Sequence, residues 1–156
     1  MDEKVKAVLV HHNSETLTAL KGVLERLGMH TVQAESRAHA KRLLGGLNPH
    51  PLVFTDTQLP DGTWADIVAL AAKAAKPVNA IVVARVVNTR FYVEAIETGA
   101  FDFIAPPFNA TDLAYVVRTA VDNVVARRTA PLKPELTPSA DLLTEGSETR
   151  ARLTSA

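Results

Sequence analysis

Residues 52–62, Leu52-Val53-Phe54-Thr55-Asp56-Thr57-Gln58-Leu59-Pro60-Asp61-Gly62, carry a continuous apolar run into an acidic residue and then into a Pro-Asp-Gly turn. A short run of this kind, apolar on successive positions rather than alternate ones, reads as a strand buried on both faces, which is the habit of parallel sheets. Similar runs recur at Ala7–Val10 and Ala80–Ala84, a weaker one at Thr31–Ala34, and another at Phe101–Ala105. Segments with helical spacing lie between them. In the first, Ser14 is a good N-cap, Leu17, Leu20, Leu24 and Leu27 form one stripe, and Gly28 stands where a C-terminal glycine belongs. The spacing predicts further helices over Ala38–Leu47, ending at Asn48-Pro49-His50-Pro51, over Trp64–Ala75, over Thr89–Thr98 closing on Gly99, and over Ala110–Ala126. Strand and helix thus alternate five times. Because such crossovers are right-handed, the expected fold is an open α/β, doubly wound five-stranded parallel sheet. Its crevice lies at the carboxyl ends of the strands, where this sequence places His11-His12-Asn13, Asp56-Thr57, Ala84-Arg85 and Pro106-Pro107.

Composition narrows the function classes. The 156 residues suit one domain over 1–128, followed by a Pro/Ser/Thr-rich tail or linker over 129–156 that holds Pro131, Pro134 and Pro138. Seventeen basic and seventeen acidic side chains cancel, so no overall field draws the chain to nucleic acid or to an anionic membrane. There are no cysteines, hence no disulfide and no thiolate metal site, as suits a reducing cytoplasm. The opening stretch MDEKVKAVLVHHN has an apolar run too short for a signal peptide or a span. The expectation is a cytoplasmic protein with no nucleic-acid partner and no membrane partner.

Three stretches carry a family resemblance. Residues 52–62 resemble the phosphoacceptor region of response-regulator receiver domains, in which a strand ends in aspartate and a short loop ends in Pro-Asp/Glu-Gly. Gly99-Ala100-Phe101-Asp102-Phe103-Ile104-Ala105-Pro106-Pro107-Phe108 resembles the family's Gly-Ala-x-x-Tyr/Phe-x-x-Lys-Pro-Phe. The opening strand, running through a short loop into a helix begun by Ser14, is the third. The resemblance implies a flavodoxin-like, receiver-type sheet of strand order 2-1-3-4-5. Position by position, the phosphoacceptor falls on Asp56 and the aromatic switch on Phe103, and both are retained. The acidic pair that holds Mg2+ falls on His11 and His12, the phosphoryl-sensing Thr or Ser on Ala84, and the lysine on Pro106. The family's cis peptide falls on Pro106–Pro107, and X–Pro bonds tolerate cis.

Those substitutions bear directly on chemistry. Aspartyl phosphorylation needs a carboxylate nucleophile and cations to neutralise the transferring group. Mg2+ takes oxygen ligands in near-octahedral geometry, and imidazoles offer nitrogen; proline offers no ammonium; Ala84 has no hydroxyl. Losing one preorganised electrostatic element costs on the order of 3 kcal/mol of barrier, so Asp56 reads as a remnant carboxylate hydrogen-bonded to loop amides. The leading expectation is a receiver-like module that works by protein–protein interaction, is not an enzyme and disfavours Mg2+. One alternative keeps a phosphorelay receiver accepting phosphate on Asp56. Another makes His11, His12 and Asp56 a two-histidine, one-carboxylate site for Zn2+ or a small ligand.

Output surfaces are read from the last helix. Leu113, Val116, Val117, Ala120 and Val124 form its buried stripe, while Ala114, Tyr115, Val121 and Val125 add apolar surface outside it. By resemblance a homodimer or partner surface would use the fourth helix, fifth strand and fifth helix, with Tyr92, Tyr115 and Val121 as contacts; the tail folding back on the last helix is the alternative. Trp64 reads as packing at a helix start, Arg127-Arg128 as a solvated helix end with favourable dipole charge, and Asp141-Leu142-Leu143 as a possible short helix.

Overall fold

In the computed structural model, which describes residues 5–130, the five apolar runs pair edge to edge. β1 (Lys6–Val10), β2 (His30–Ala34), β3 (Leu52–Asp56), β6 (Asn79–Val83) and β7 (Asp102–Ile104) form one parallel sheet in the order β2-β1-β3-β6-β7. Two further short strands, β4 (Gln58–Leu59) and β5 (Gly62–Thr63), make a separate hairpin. Counting only the strands of the main sheet, its order is the expected 2-1-3-4-5. Side chains alternate across a strand, so each apolar run supplies both faces. Val8, Val10, Val53 and Val82 enter one core with Ile67 and Phe103. Leu9, Phe54, Ile81 and Val83 enter the other with Leu17, Leu24 and Val117. Helices α2 (Arg37–Leu44), α3 (Trp64–Ala72) and α4 (Thr89–Thr98) bring the first core its covering residues; α1 (Glu15–Arg26) and α5 (Ala110–Thr129) cover the second.

Local chemistry sets the helix ends. Ser14 Oγ accepts the Leu17 amide at 3.2 Å, and the chain leaves α1 through Gly28 at φ 91°, a left-handed conformation that favours glycine. Val23 takes the buried place expected of Leu27, which is half-buried at the C-cap. α2 stops three residues before the expected Leu47, because Gly45-Gly46 are poor helix formers. α3 likewise stops at Ala72 rather than Ala75. α4 has the expected bounds, with Asn88 Oδ1 accepting the Phe91 amide at 3.0 Å and Gly99 at φ 121°.

α5 runs past the expected Ala126 to Thr129, and the arginines explain it. Asn79, buried at the start of β6, donates from Nδ2 to the Ala120 carbonyl at 2.9 Å and to Asn123 Oδ1 at 3.0 Å. Its own Oδ1 accepts from Arg127 Nη1 at 3.0 Å. Arg128 donates from Nε to the Pro77 carbonyl and from Nη2 to the Pro49 carbonyl, both at 2.9 Å. Arg127 is exposed at the helix end, as expected, but Arg128 is half-buried, and the two together form a clasp that fastens α5 to β6 and to the loops entering β3 and β6. The anticipated tail of 129–156, its fold-back and the helix at Asp141-Leu142-Leu143 lie, from residue 131 on, outside the described residues.

Removing the hub of this clasp leaves buried polar groups unpaired, which costs about 1–3 kcal/mol. Asn79→Ala is expected to lose that much in urea denaturation followed by Trp64 fluorescence. Arg127→Ala should lose less, because Asn79 keeps its two bonds to α5.

Candidate functional site

The register of the sheet brings the strand ends together. Asp56 closes β3, half-buried, and its Oδ1 accepts the amide of Thr57 at 2.8 Å. Thr55 Oγ1 donates to the Asp56 carbonyl at 2.9 Å. Of the loop amides expected to hold this carboxylate, Thr57 is the one that does so.

His11 follows β1 directly. Its amide donates to the Ala34 carbonyl at 3.0 Å, and its carbonyl accepts from Gln33 Nε2 at 3.2 Å, so the strand is held for one residue beyond its formal end. Asn13 then adopts φ 58°, a left-handed turn that asparagine tolerates. The turn brings the Ser14 amide back to His11 Nδ1 at 3.0 Å. With Nδ1 accepting, a neutral His11 carries its proton on Nε2. The residue is only 5% exposed. Burial pushes its pKa below the ordinary 6.5, against the opposing pull of Asp56 and Glu35 and with a smaller push from His12. His12 is exposed and turned to Glu35, Nδ1 to Oε1 3.9 Å. Among the described residues no three His, Cys, Asp or Glu side chains are grouped so as to hold a metal ion; the Zn2+ arrangement of His11, His12 and Asp56 is not assembled.

The other strand ends contribute little polarity. Ala84 is buried, its amide donating to the Ile104 carbonyl at 2.9 Å, and only a methyl group follows. Pro106 is exposed, and the Pro106–Pro107 peptide is cis, as expected. Phe103 is buried edge-on against Phe91 at 5.0 Å and Tyr92 at 5.9 Å, with Trp64 meeting Phe91 at 5.4 Å. Trp64 thus packs at the start of α3, within an aromatic row that reaches the surface at Tyr92. Of the surface residues named from sequence, Tyr92 and Tyr115 are exposed. Val121 is half-buried on the flank of α5 that faces Val5 and Leu27, so it does not share a face with Tyr92. That correction follows from helical phase: Val121 and Ala114 lie toward α1, while Val116 and Asp112 lie toward Ile104.

Sequence reasoning missed the work of Asp61. Its Oδ1 accepts the Arg37 amide at 2.7 Å and its Oδ2 the Ala38 amide at 3.1 Å, capping α2 from another loop. Ser36 Oγ takes the next amide, from His39, at 3.1 Å. The Arg37 amide, first among these bonds, holds the Asp61 carboxyl below the usual carboxylate range. A Cβ at Gly62 beside it would meet the Asp66 carboxylate that caps α3, so a larger residue there would have to displace that cap. The Pro-Asp-Gly motif is therefore the buckle between α2 and α3, a role that only the unpaired first amides of α2 could have suggested.

Comparison with known proteins gives a coherent picture. Residues 7–118 match the model of the response regulator receiver domain. The response regulator protein PilR of Pseudomonas aeruginosa is 28% identical over 116 residues, which are 74% of this chain and 26% of PilR. This chain thus matches about a quarter of that relative's length. The NtrX structure from Brucella abortus superposes with a TM-score of 0.68 at 22% identity, covering 81% of this chain and 28% of NtrX. The receiver domain of sensor histidine kinase PA1611 from Pseudomonas aeruginosa, solved with a magnesium ion coordinated in its active-site cleft, gives 0.64 at 16% identity over 77% of this chain and 99% of its own.

A pKa lowered by folding means that the unfolded state binds the proton more readily, so His11 favours folding at high pH and withdraws that support as pH falls through its depressed folded pKa. In histidine NMR titrations the His11 ring should have its midpoint below the ordinary value. His11→Asn, which keeps an amide acceptor, should flatten part of the loss of stability between pH 7 and 5. His50, also lowered chiefly by burial, accounts for a further share.

Proposed function

Because this chain belongs to the response-regulator receiver family, and is thus a signal-transduction module, we propose that it passes its signal by protein contact and is not phosphorylated by the Mg2+-dependent route. One observation carries the reading. At the ends of β1 and β3, where a hard divalent cation would need several oxygens, the ionisable side chains are Asp56 and two imidazoles, one of them buried with its Nδ1 already accepting a backbone amide. Nitrogen donors and a single carboxylate do not fit Mg2+. Ala84 and Pro106 bring neither a hydroxyl nor an ammonium to a phosphoryl group. The module then has no catalytic step of its own, and its output is binding.

The surface that supports this output is α4 and the loop before it. α4 fully buries only Ala95. Val86 and Val87 are 70% and 76% exposed, and Tyr92, Val93 and Ile96 are partly exposed beside them. Exposed apolar residues clustered in this way mark interaction sites. We assign a second copy of the chain to this surface, with β7 and Tyr115 of α5 at its margin. A receiver accepting phosphate on Asp56 is the second reading, favoured by the retention of that carboxylate at the end of β3.

Intact-mass analysis after incubation with acetyl phosphate and Mg2+ separates the two. No phosphoryl adduct is expected; an adduct that disappears in Asp56→Asn would overturn the proposal. In sedimentation equilibrium, Val93→Asp with Ile96→Asp should weaken self-association by about tenfold or more, equivalent to about 1.4 kcal/mol, whereas Asp56→Asn should leave it unchanged.

A further inference from the structure

Away from the crevice, a groove runs along the α1 side of α5. Its upper part, about 300 Å3, lies between α1 and α5 and is walled by Val5, Leu27, Met29, Val117 and Val121, with Arg118 and Asp122 of opposite charge also lining it. The lower part, about 500 Å3, shares Val5 and Val121, then opens past Val125 to Lys6, His50 and Arg128. Val125 is half exposed there, and no carboxylate lines this lower part. Lys6 and Arg128 supply fixed positive charge; His50, whose pKa burial lowers, adds a cation only in acid. The groove is therefore an apolar slot with a basic rim, beside the last turn of α5 from which the chain continues.

What the chain carries next has the opposite character. Residues 135–148, Glu135-Leu136-Thr137-Pro138-Ser139-Ala140-Asp141-Leu142-Leu143-Thr144-Glu145-Gly146-Ser147-Glu148, hold four carboxylates, three leucines and no lysine or arginine. We propose that this acidic segment docks in the groove, Leu142 and Leu143 against Val121 and Val125, and its carboxylates on Lys6 and Arg128. The reach is ample. Leu142 lies twelve positions beyond Ala130, a stretch that spans up to about 40 Å when extended. Returning along α5 from Arg128 to Val121 needs about 10 Å. A tether of this length gives a local concentration in the millimolar range, so even a weak dock is occupied. Long-range attraction between rim and segment adds to it and is screened by salt. Occupation covers Val121 and Val125, and it makes the segment compete with any outside ligand of this flank of α5. The proposal does not depend on the state of Asp56.

The absence of cysteine makes the test direct. In the full-length chain, Ser139→Cys carries one nitroxide label, and amide signals are compared before and after its reduction. The label should cut the signals of Lys6, Val121 and Val125 by more than half while sparing Asp56 and Phe103. Leu142→Asp with Leu143→Asp, or high salt, should restore them. Broadening confined to the last turn of α5, or indifferent to the leucine changes, would overturn the proposal. Broadening in a mixture of labelled unenriched chain with unlabelled 15N chain would overturn it too, by making a second copy the occupant.

Discussion

Val10 pairs with Thr55 across β1 and β3, and this register decides what stands in the crevice. The next residue on each strand is His11 and Asp56, so the imidazole and the carboxylate are brought to the same end of neighbouring strands and feel one another electrostatically. The Ser14 amide then turns back to His11 Nδ1 through the left-handed Asn13. One parallel pairing thus fixes the position of Asp56, the tautomer of His11 and the start of α1. The two cores on either face of the sheet hold that register, because a slip of one residue would send Val8 and Val10 to the face now filled by Leu9 and Phe54.

An imidazole at this place alters the electrostatic needs of the site. Several carboxylates at adjoining strand ends repel one another and call for a cation between them. A buried neutral histidine does not, and its acceptor nitrogen is already satisfied by the backbone. Thr57 likewise donates its amide to Asp56 Oδ1, so each of these two side chains is tied to the backbone of its own loop. On the proposed reading the pocket is thereby a structural corner, and the polar interactions that matter for assembly have moved elsewhere: Asp61 ties α2 to the β3–α3 loop, and Asn79 with Arg127 and Arg128 ties α5 to the opposite, amino ends of β3 and β6.

The parts legible in the sequence were those written locally. Continuous β-branched runs revealed the strands, since burial on both faces leaves no polar phase. Ser14, Gly28 and Gly99 marked helix ends because caps act within one turn. What escaped was written across distance. Nothing near Arg128 in sequence announces the Pro49 and Pro77 carbonyls, and Asp61 reaches the amides of a helix that starts 24 positions earlier. The Gln58–Thr63 hairpin is too short for any period to reveal. Val121 was grouped with Tyr92 because the resemblance names whole elements and not the phase of a helix; a rotation of about 100° per residue sets it on the other flank.

α4 contrasts with these fastened elements. α1 buries four of its side chains and α5 four, whereas α4 buries one, Ala95. Its remaining hold is the aromatic row, in which Phe91 and Tyr92 flank Phe103 and Trp64 reaches Phe91 from α3. Elements with few buried contacts open most readily, so α4 is where the fold has least packing of its own to lose and most to gain. Each large apolar side chain taken fully out of water there contributes about 1.5–3 kcal/mol, and Val93 and Ile96 are open to contribute. On the proposed reading, a partner that covers α4 would supply to this helix what the sheet already supplies to the others.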